Sequence, residues 1–279
     1  VRGNTVRLDS DSFFGLLAAT DAAPPGLMLL YRSEEGDFRV YASMEGGRMR
    51  FYFAVRHGDA WRVAEGLYRE KFVELFRAER DILEAIRGAV AKALEKLVPD
   101  WESRPVKVEE PSEIIDKEGK IKVYRLHLYT HHLTPFLEHA AERVKAEPAE
   151  VRLEDRRIVV KAGDVEAEVE FKLLKRKEAA FLPVKDVART LTLYKSLKEA
   201  GVPVEITPRG VKVDSKALWA LVAATVERSS PSKLPAEVMR DVELLKVYSI
   251  GGMKLYIFRA EGVHYYFAAK TEKEWRVAG

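Results

Sequence analysis

Two stretches of this chain recur in order, so whatever fold it adopts must accommodate them twice. Residues 6–21, VRLDSDSFFGLLAATD, align with 211–226, VKVDSKALWALVAATV, and share Val6, Asp9, Ser10, Leu16, Ala18, Ala19 and Thr20. Residues 51–64, FYFAVRHGDAWRVA, align with 265–278, YYFAAKTEKEWRVA, and share Tyr52, Phe53, Ala54, Trp61, Arg62, Val63 and Ala64. The first block is offset by 205 residues and the second by 214, so the second copy holds nine extra residues in between. Helices rich in Ala and Leu look alike by chance, but that does not account for the FYFA–x6–WRVA match. The pair is read as a duplication. The expected organisation is a first unit at 1–129 and a second at 130–279 that continues into a partial third repeat at 211–279. Copy one runs from WRVAEG into a helical pattern, copy two stops at WRVAG, and the first residue is Val1. The expectation is a segment of a longer protein, or a repeat cut mid-unit.

The local patterns alternate between helical and extended periods. Asp9 and Ser10 offer N-cap side chains to a helix at about 11–21, which Pro24-Pro25-Gly26 closes. Strands are expected at 27–32, 38–44 and 48–56. In the last of these, Met49, Phe51, Phe53 and Val55 face one way and Arg48, Arg50, Tyr52, Ala54 and Arg56 the other. A long helix is expected over about 61–97, from apolar residues including Leu67, Phe72, Leu75, Ile82, Ile86, Val90 and Leu94. Strands at 105–109 and 120–129 follow. Next come a helix at 131–145, strands at 150–154, 157–161 and 164–173, and a helix at 184–200. A hairpin at 202–206 and 210–213 leads to a helix at 214–228 and a short one near 235–241. Strands at 244–250, 253–259 and 263–270 complete the chain. Alternating strand runs and helices joined by short turns give an α+β protein with antiparallel sheets packed against helices.

Composition narrows the chemistry. There is no Cys, which excludes disulfides, Cys-based zinc sites, iron–sulfur clusters and thiol catalysis. There is no Gln and a single Asn, Asn4, beside 47 Lys+Arg and 44 Asp+Glu, the balance of a hyperthermophile protein. No stretch approaches the length of a membrane helix, and VRGNTVRLDS has no apolar signal core. A soluble, cytoplasmic protein without a membrane partner is expected. P-loop, G-x-G-x-x-G and G-x-S-x-G motifs are absent.

The succession helix, two strands, helix, two strands, helix resembles the LAGLIDADG homing-endonuclease half-domain. That resemblance implies duplicated LAGLIDADG-like units, with helices packed through small residues and ending in metal-binding acids. It places Gly15, Ala18 and Ala19 before Asp21, Ala140 and Ala141 before Glu142, and Ala220, Ala223 and Ala224 before Glu227. No helix reads LAGLIDADG itself. The segments YYFAAKTEKEWRVAG and LLKVYSIGGMKLYIFRAEG are similar to those of the type-two Pyrobaculum repeat family of Thermoproteales. This likeness covers the C-terminal third and, through the repeat, 38–66. It implies a mobile-element origin and carries no catalytic residue with it.

Three constellations carry candidate chemistry. Asp21, Glu142 and Glu227 are the candidate catalytic acids. Asp21 and Glu142 are the candidate ligands of a Mg²⁺ that activates water for phosphodiester cleavage. Arg48, Arg50, Tyr52 and Arg56 form a basic and aromatic stripe able to track phosphates and stack a base. Lys254, Tyr256, His264, Tyr266 and Lys270 are its counterpart in copy two. In the middle cycle Glu166, Glu168 and Glu170 occupy the same phase and repel phosphate. His127, His131, His132 and His139, with Glu138 and Glu142, are a candidate zinc or manganese cluster without a standard spacing.

The leading expectation is a nucleic-acid-binding protein, DNA ahead of RNA, without a working nuclease site. A metal-dependent endonuclease and a protein-interaction scaffold are the alternatives. Without Gln, and with Asn4 alone, the chain lacks the side chains that read adenine bidentately, which favours recognition of backbone or shape over sequence.

Overall fold

The computed structural model describes residues 9–20, 24, 26–77, 79–100, 108–115, 122–154, 157–170, 179–214, 218, 242–250, 253–260, 264–270 and 275–278. The chain is α+β with antiparallel sheets, and it divides into two compact units. One comprises Val1–Ala140, Asp186–Ala188 and Thr207–Arg209; the other comprises Ala141–Lys185, Arg189–Ile206 and Gly210–Gly279. No helix among the described residues is long and apolar enough to cross a membrane.

The first unit opens with helix α1 (Ser10–Thr20) and five strands: β1 (Leu27–Arg32), β2 (Phe38–Glu45), β3 (Arg48–His57), β4 (Ala60–Arg69) and β5 (Phe72–Arg77). Helix α2 (Arg80–Leu97), strands β6 (Ser112–Ile115) and β7 (Lys122–Tyr129) and helix α3 (Thr130–Glu142) follow. The strands form one seven-stranded sheet in the order β1-β2-β3-β4-β5-β7-β6. Met49, Phe51, Phe53 and Val55 are buried on its inner face, as their alternation requires. Against that face α2 lays Ile82, Leu83, Ile86, Val90, Ala93 and Leu94. Helix α3 reaches the same face through Phe136, whose ring lies 5.5 Å from that of Tyr31. Tyr31 points there because β1 is irregular between Leu29 and Tyr31, which reverses the phase of the strand. Leu29, before the irregularity, packs on the opposite face with Phe14, Leu17, Tyr41, Ala54 and Val63. That opposite face is the seat of α1.

Helix α1 is short and is held by named groups. The Ser12 N–H donates to Asp9 Oδ1 at 2.9 Å, and the Ser12 hydroxyl donates to Oδ2 at 3.0 Å. Asp9 is thus the N-cap expected from the sequence. The Val63 N–H donates to Asp11 Oδ1 at 2.7 Å, tying the first turn to β4. At the other end Arg39, buried in β2, donates from Nη2 to the Ala18 carbonyl at 3.1 Å and lies 5.5 Å from the Trp61 ring centroid. The hydrogen bonds from Ser12 hold the Asp9 carboxyl below its ordinary pKa. A depressed folded-state pKa stabilises the fold above the unfolded value, and that contribution is lost as pH falls through the folded one. Amide protection of α1 is therefore expected to fall on acidification below the usual carboxylate range. Asp9→Asn, which keeps the cap, should flatten this dependence; an unaltered pH profile in the variant would show that Asp9 is not its source.

Two expectations are corrected here. The helix expected over 61–97 is two strands and a helix, since β4 and β5 occupy 60–77. Its apolar residues there alternate: Val63 and Tyr68 are buried toward opposite faces, Val73 and Leu75 lie under α2, and only from Ile82 does the spacing become helical. The Tyr68 hydroxyl bonds the Glu70 carbonyl and lies 2.8 Å from Thr130 Oγ1, fixing a tight turn in which Glu70 takes φ 52°. The element order also departs from the LAGLIDADG half-domain, because five strands rather than two separate α1 from α2. The expected strand at 105–109 lies mostly outside the described residues; no strand covers 108–111, and the pairing begins at Ser112.

In the second unit β8 (Ala149–Glu154), β9 (Arg157–Ala162) and β10 (Val165–Glu170) form a meander. Strand β11 (Ala179–Leu182), helix α4 (Val187–Glu199), and strands β12 (Val204–Thr207) and β13 (Gly210–Asp214) follow, with sheet order β11-β13-β12. Of the helix expected at 214–228, Asp214 ends β13 instead, and Leu218 is the one other described residue; it is helical and buried. The short helix expected near 235–241 lies outside the described residues. Strands β14 (Val242–Ile250), β15 (Met253–Ala260), β16 (His264–Lys270) and β17 (Trp275–Ala278) close the chain as a four-stranded antiparallel sheet.

The repeat is visible in strand register. In β3–β4, Phe53 pairs with Ala64, Ala54 with Val63, Val55 with Arg62 and Arg56 with Trp61. In β16–β17 the counterparts pair identically: Phe267 with Ala278, Ala268 with Val277, Ala269 with Arg276 and Lys270 with Trp275. The irregularity recurs as well. In copy one it falls between the pairs Leu29–Tyr41 and Tyr31–Val40, and in copy two between Leu244–Phe258 and Lys246–Ile257. A one-residue slip would turn every side chain to the wrong face, so a shared register and a shared irregularity together are a strong mark of common origin.

Candidate nucleic-acid interface

Of the three helix-end acids, Glu142 is the one among the described residues. Helices α1 and α3 lie on opposite faces of the sheet, so the close helix pairing that a shared metal needs is absent between them. Glu142 is exposed at the end of α3, where its carbonyl accepts from Lys195 Nζ at 3.0 Å. Asp21 and Glu227 lie outside the described residues.

The four histidines do not converge on one centre, although the His131 and His132 rings lie 4.1 Å apart. His132 is fully buried and its Nδ1 accepts from the Tyr129 N–H at 3.0 Å, the reach-back bond of a helix N-terminus. His139 stands edge-on to Tyr31, and His131 stacks on Tyr129. His127 Nε2 lies 3.6 Å from Glu74 Oε1. Among the described residues, no group of three or more His, Asp or Glu side chains is placed to hold a metal.

The β3 stripe is only partly open, which corrects the expectation that it is an exposed face. Its phase is the one that faces α1. The Tyr52 ring lies 5.2 Å from that of Phe14, and Ala54 is buried. Arg50 Nε donates to Glu45 at 2.6 Å, and its Nη1 lies 3.6 Å from Glu65. The bond to Glu45 holds the Arg50 guanidinium above its ordinary pKa. Arg48 and Arg56, at the ends of the strand, remain exposed.

In copy two, Lys254 and Lys270 are direct cross-strand partners, as are Tyr256 and Ala268, and Phe258 and Tyr266; His264 pairs with Ala260. Lys254, Tyr256, His264, Tyr266 and Lys270 therefore occupy positions of one phase. In the middle cycle Glu166, Glu168 and Glu170 are exposed, and Glu168 is bridged by Arg157 at 2.6 Å.

A different face emerges where α1 does not reach. In β5 and β7, Phe72 pairs with Tyr129, Glu74 with His127 and Phe76 with Arg125. The intervening Val73, Leu75, Leu126 and Leu128 are fully buried. The six outward positions thus form two adjoining rows. Phe72 lies 5.0 Å from the His127 ring and 5.9 Å from that of Tyr129, and His131 continues the row, stacked on Tyr129 at an interplanar angle of 9°. Phe76 is 60% exposed. Glu74 Oε1 is held by Arg125 Nη1 at 2.8 Å, so the one carboxylate of the rows is neutralised in place. Arg69, across the turn from Phe72, and Lys71 within it are both exposed. Sequence periodicity missed this face because it assigned Phe72 to a helix, which separates it from Tyr129. The signal available was the alternation in FVELFR and in YRLHLY.

No family model, curated protein or solved structure matches the chain.

Proposed function

We propose that the chain binds nucleic acid through the open face of β5 and β7, contacting the backbone and base faces without reading a sequence. The supporting observation is the juxtaposition of the exposed cations Arg69 and Lys71 with the outward rings of Phe72, Phe76, His127 and Tyr129, among which the half-buried Arg125 cancels the charge of Glu74. Cations neutralise phosphates, aromatic rings accept bases of any identity, and neither requires the amide side chains that this composition lacks. The likeness to the Pyrobaculum repeat proteins adds an origin in mobile loci to this reading and brings no catalytic group to it.

Neutralising about two phosphates, through Arg69 and Lys71, predicts a slope of log affinity against log salt of about −1.4. Replacing Arg69 and Lys71 together by Ala should remove nearly all of that slope. Fluorescence anisotropy of labelled oligonucleotides across a salt series measures both. Absence of binding at low salt, or affinity independent of salt, would remove the reading.

A further inference from the structure

The geometry points to single-stranded nucleic acid as the substrate of this face, with unpaired bases stacked on Phe76 and on the Phe72–Tyr129 pair; it rests on the nucleic-acid reading above. Among the described large apolar side chains, Leu16 and Phe76 are the exposed ones, at 55% and 60%. Leu16 is a lone residue on the outer side of a helix. Phe76 differs in lying at the end of a row of rings on a rigid sheet whose reverse side is fully packed. Phe72 and Phe76 stand roughly 13 Å apart along β5, far enough that each meets a separate base.

A duplex does not fit this arrangement. The major groove is about 12 Å wide and admits a helix or a two-stranded ribbon. Here the β5–β7 pair is flanked by β4 at the Phe72 end and by β6 at the Arg125 end, so three strands, about 10 Å between the outer ones, lie side by side where the groove admits two. The rings point outward from the flat of the sheet, where only bases that are already unpaired reach their faces. The charge agrees: Arg69 and Lys71 at one end give the strand's phosphates exposed partners, and along the row Arg125 cancels Glu74, so no uncompensated acid of the row opposes them. A polyanion is matched by this distribution, and a neutral apolar protein segment is not.

The test uses the full chain with an oligothymidine of about twelve nucleotides, the corresponding oligouridine, and a duplex of the same length. The single strands are expected to bind at least about tenfold more tightly than the duplex. Phe76→Ala should weaken single-strand binding by about tenfold while leaving the melting temperature unchanged, and Phe76→Trp should restore it. Equal binding of duplex and single strands, unaffected by Phe76→Ala but weakened by loss of Arg69 and Lys71, would overturn this inference and leave the broader reading standing. No binding of any of the three at low salt would overturn both.

Discussion

Gly66→Ala is expected to lower the melting temperature of the chain by about 10 °C, corresponding to roughly 3 kcal/mol of overpacking in a unit of this size. The cause is steric. A Cβ at Gly66 would meet the Glu74 carbonyl oxygen and the Val73 side chain. Strand β5 thus passes directly over β4 at this residue, after the Glu70–Lys71 turn, and a side chain leaves it no room. The Glu74 carbonyl is backbone and cannot rotate away. Any shift would carry with it the pairing of Val73 with Leu128 and Glu74 with His127, and so the face proposed to bind nucleic acid. Gly88 provides the control. It lies within α2, and a Cβ there meets nothing within 4 Å. Gly88→Ala should raise stability by about 0.5–1 kcal/mol, because alanine is the better helix former. The two substitutions add the same methyl group with opposite sign, and thermal melts separate them. A Gly66→Ala variant that melts with the wild type would mean that β5 does not cross β4 at this point.

The ease with which elements could be read from the sequence followed the source of their stability. Strand β3 was legible to within one residue, His57, because Met49, Phe51, Phe53 and Val55 alternate against a fully covered face. The duplication was legible because WRVA and FYFA are paired in a hairpin whose register both copies keep. Strand β4 was not, although it contains WRVA. Its apolar residues merge with those of β5 and α2 into spacings that satisfy a helix, and the break between them rests on a tertiary contact, the Tyr68 hydroxyl over Glu70 and Thr130. The candidate site suffered in the same way. Arg48, Arg50, Tyr52 and Arg56 do share one phase, but periodicity cannot say whether a second layer covers it, and α1 does. Phe76, by contrast, is placed beside Arg125 by strand pairing between residues far apart in the chain, which no local pattern encodes.

Phe14→Ala is the second large effect, and it separates the two faces. A helix of eleven residues is marginal on its own, so α1 persists only while docked. Phe14 is its anchor: buried, with its ring 5.1 Å from Tyr41 and 5.2 Å from Tyr52. Truncation to Ala should cost about 3–5 kcal/mol in burial and cavity terms. Because α1 covers one face and builds none of the sheet's strand pairs, the loss should appear as local undocking: amide protection collapses over residues 10–20 and survives in β3. Gly15→Ala should be tolerated or slightly stabilising, since its Cβ would meet Trp61 at an ordinary 3.8 Å. A close helix–helix seam through Gly15, as in a LAGLIDADG pair, would reject it. Undocked α1 also uncovers Tyr52 beside Arg50. If the β3 stripe were the binding surface, Phe14→Ala would tighten oligonucleotide binding; if the β5–β7 face carries it, affinity stays unchanged while α1 is lost. The second outcome is expected, and anisotropy alongside hydrogen exchange on the same variant decides it.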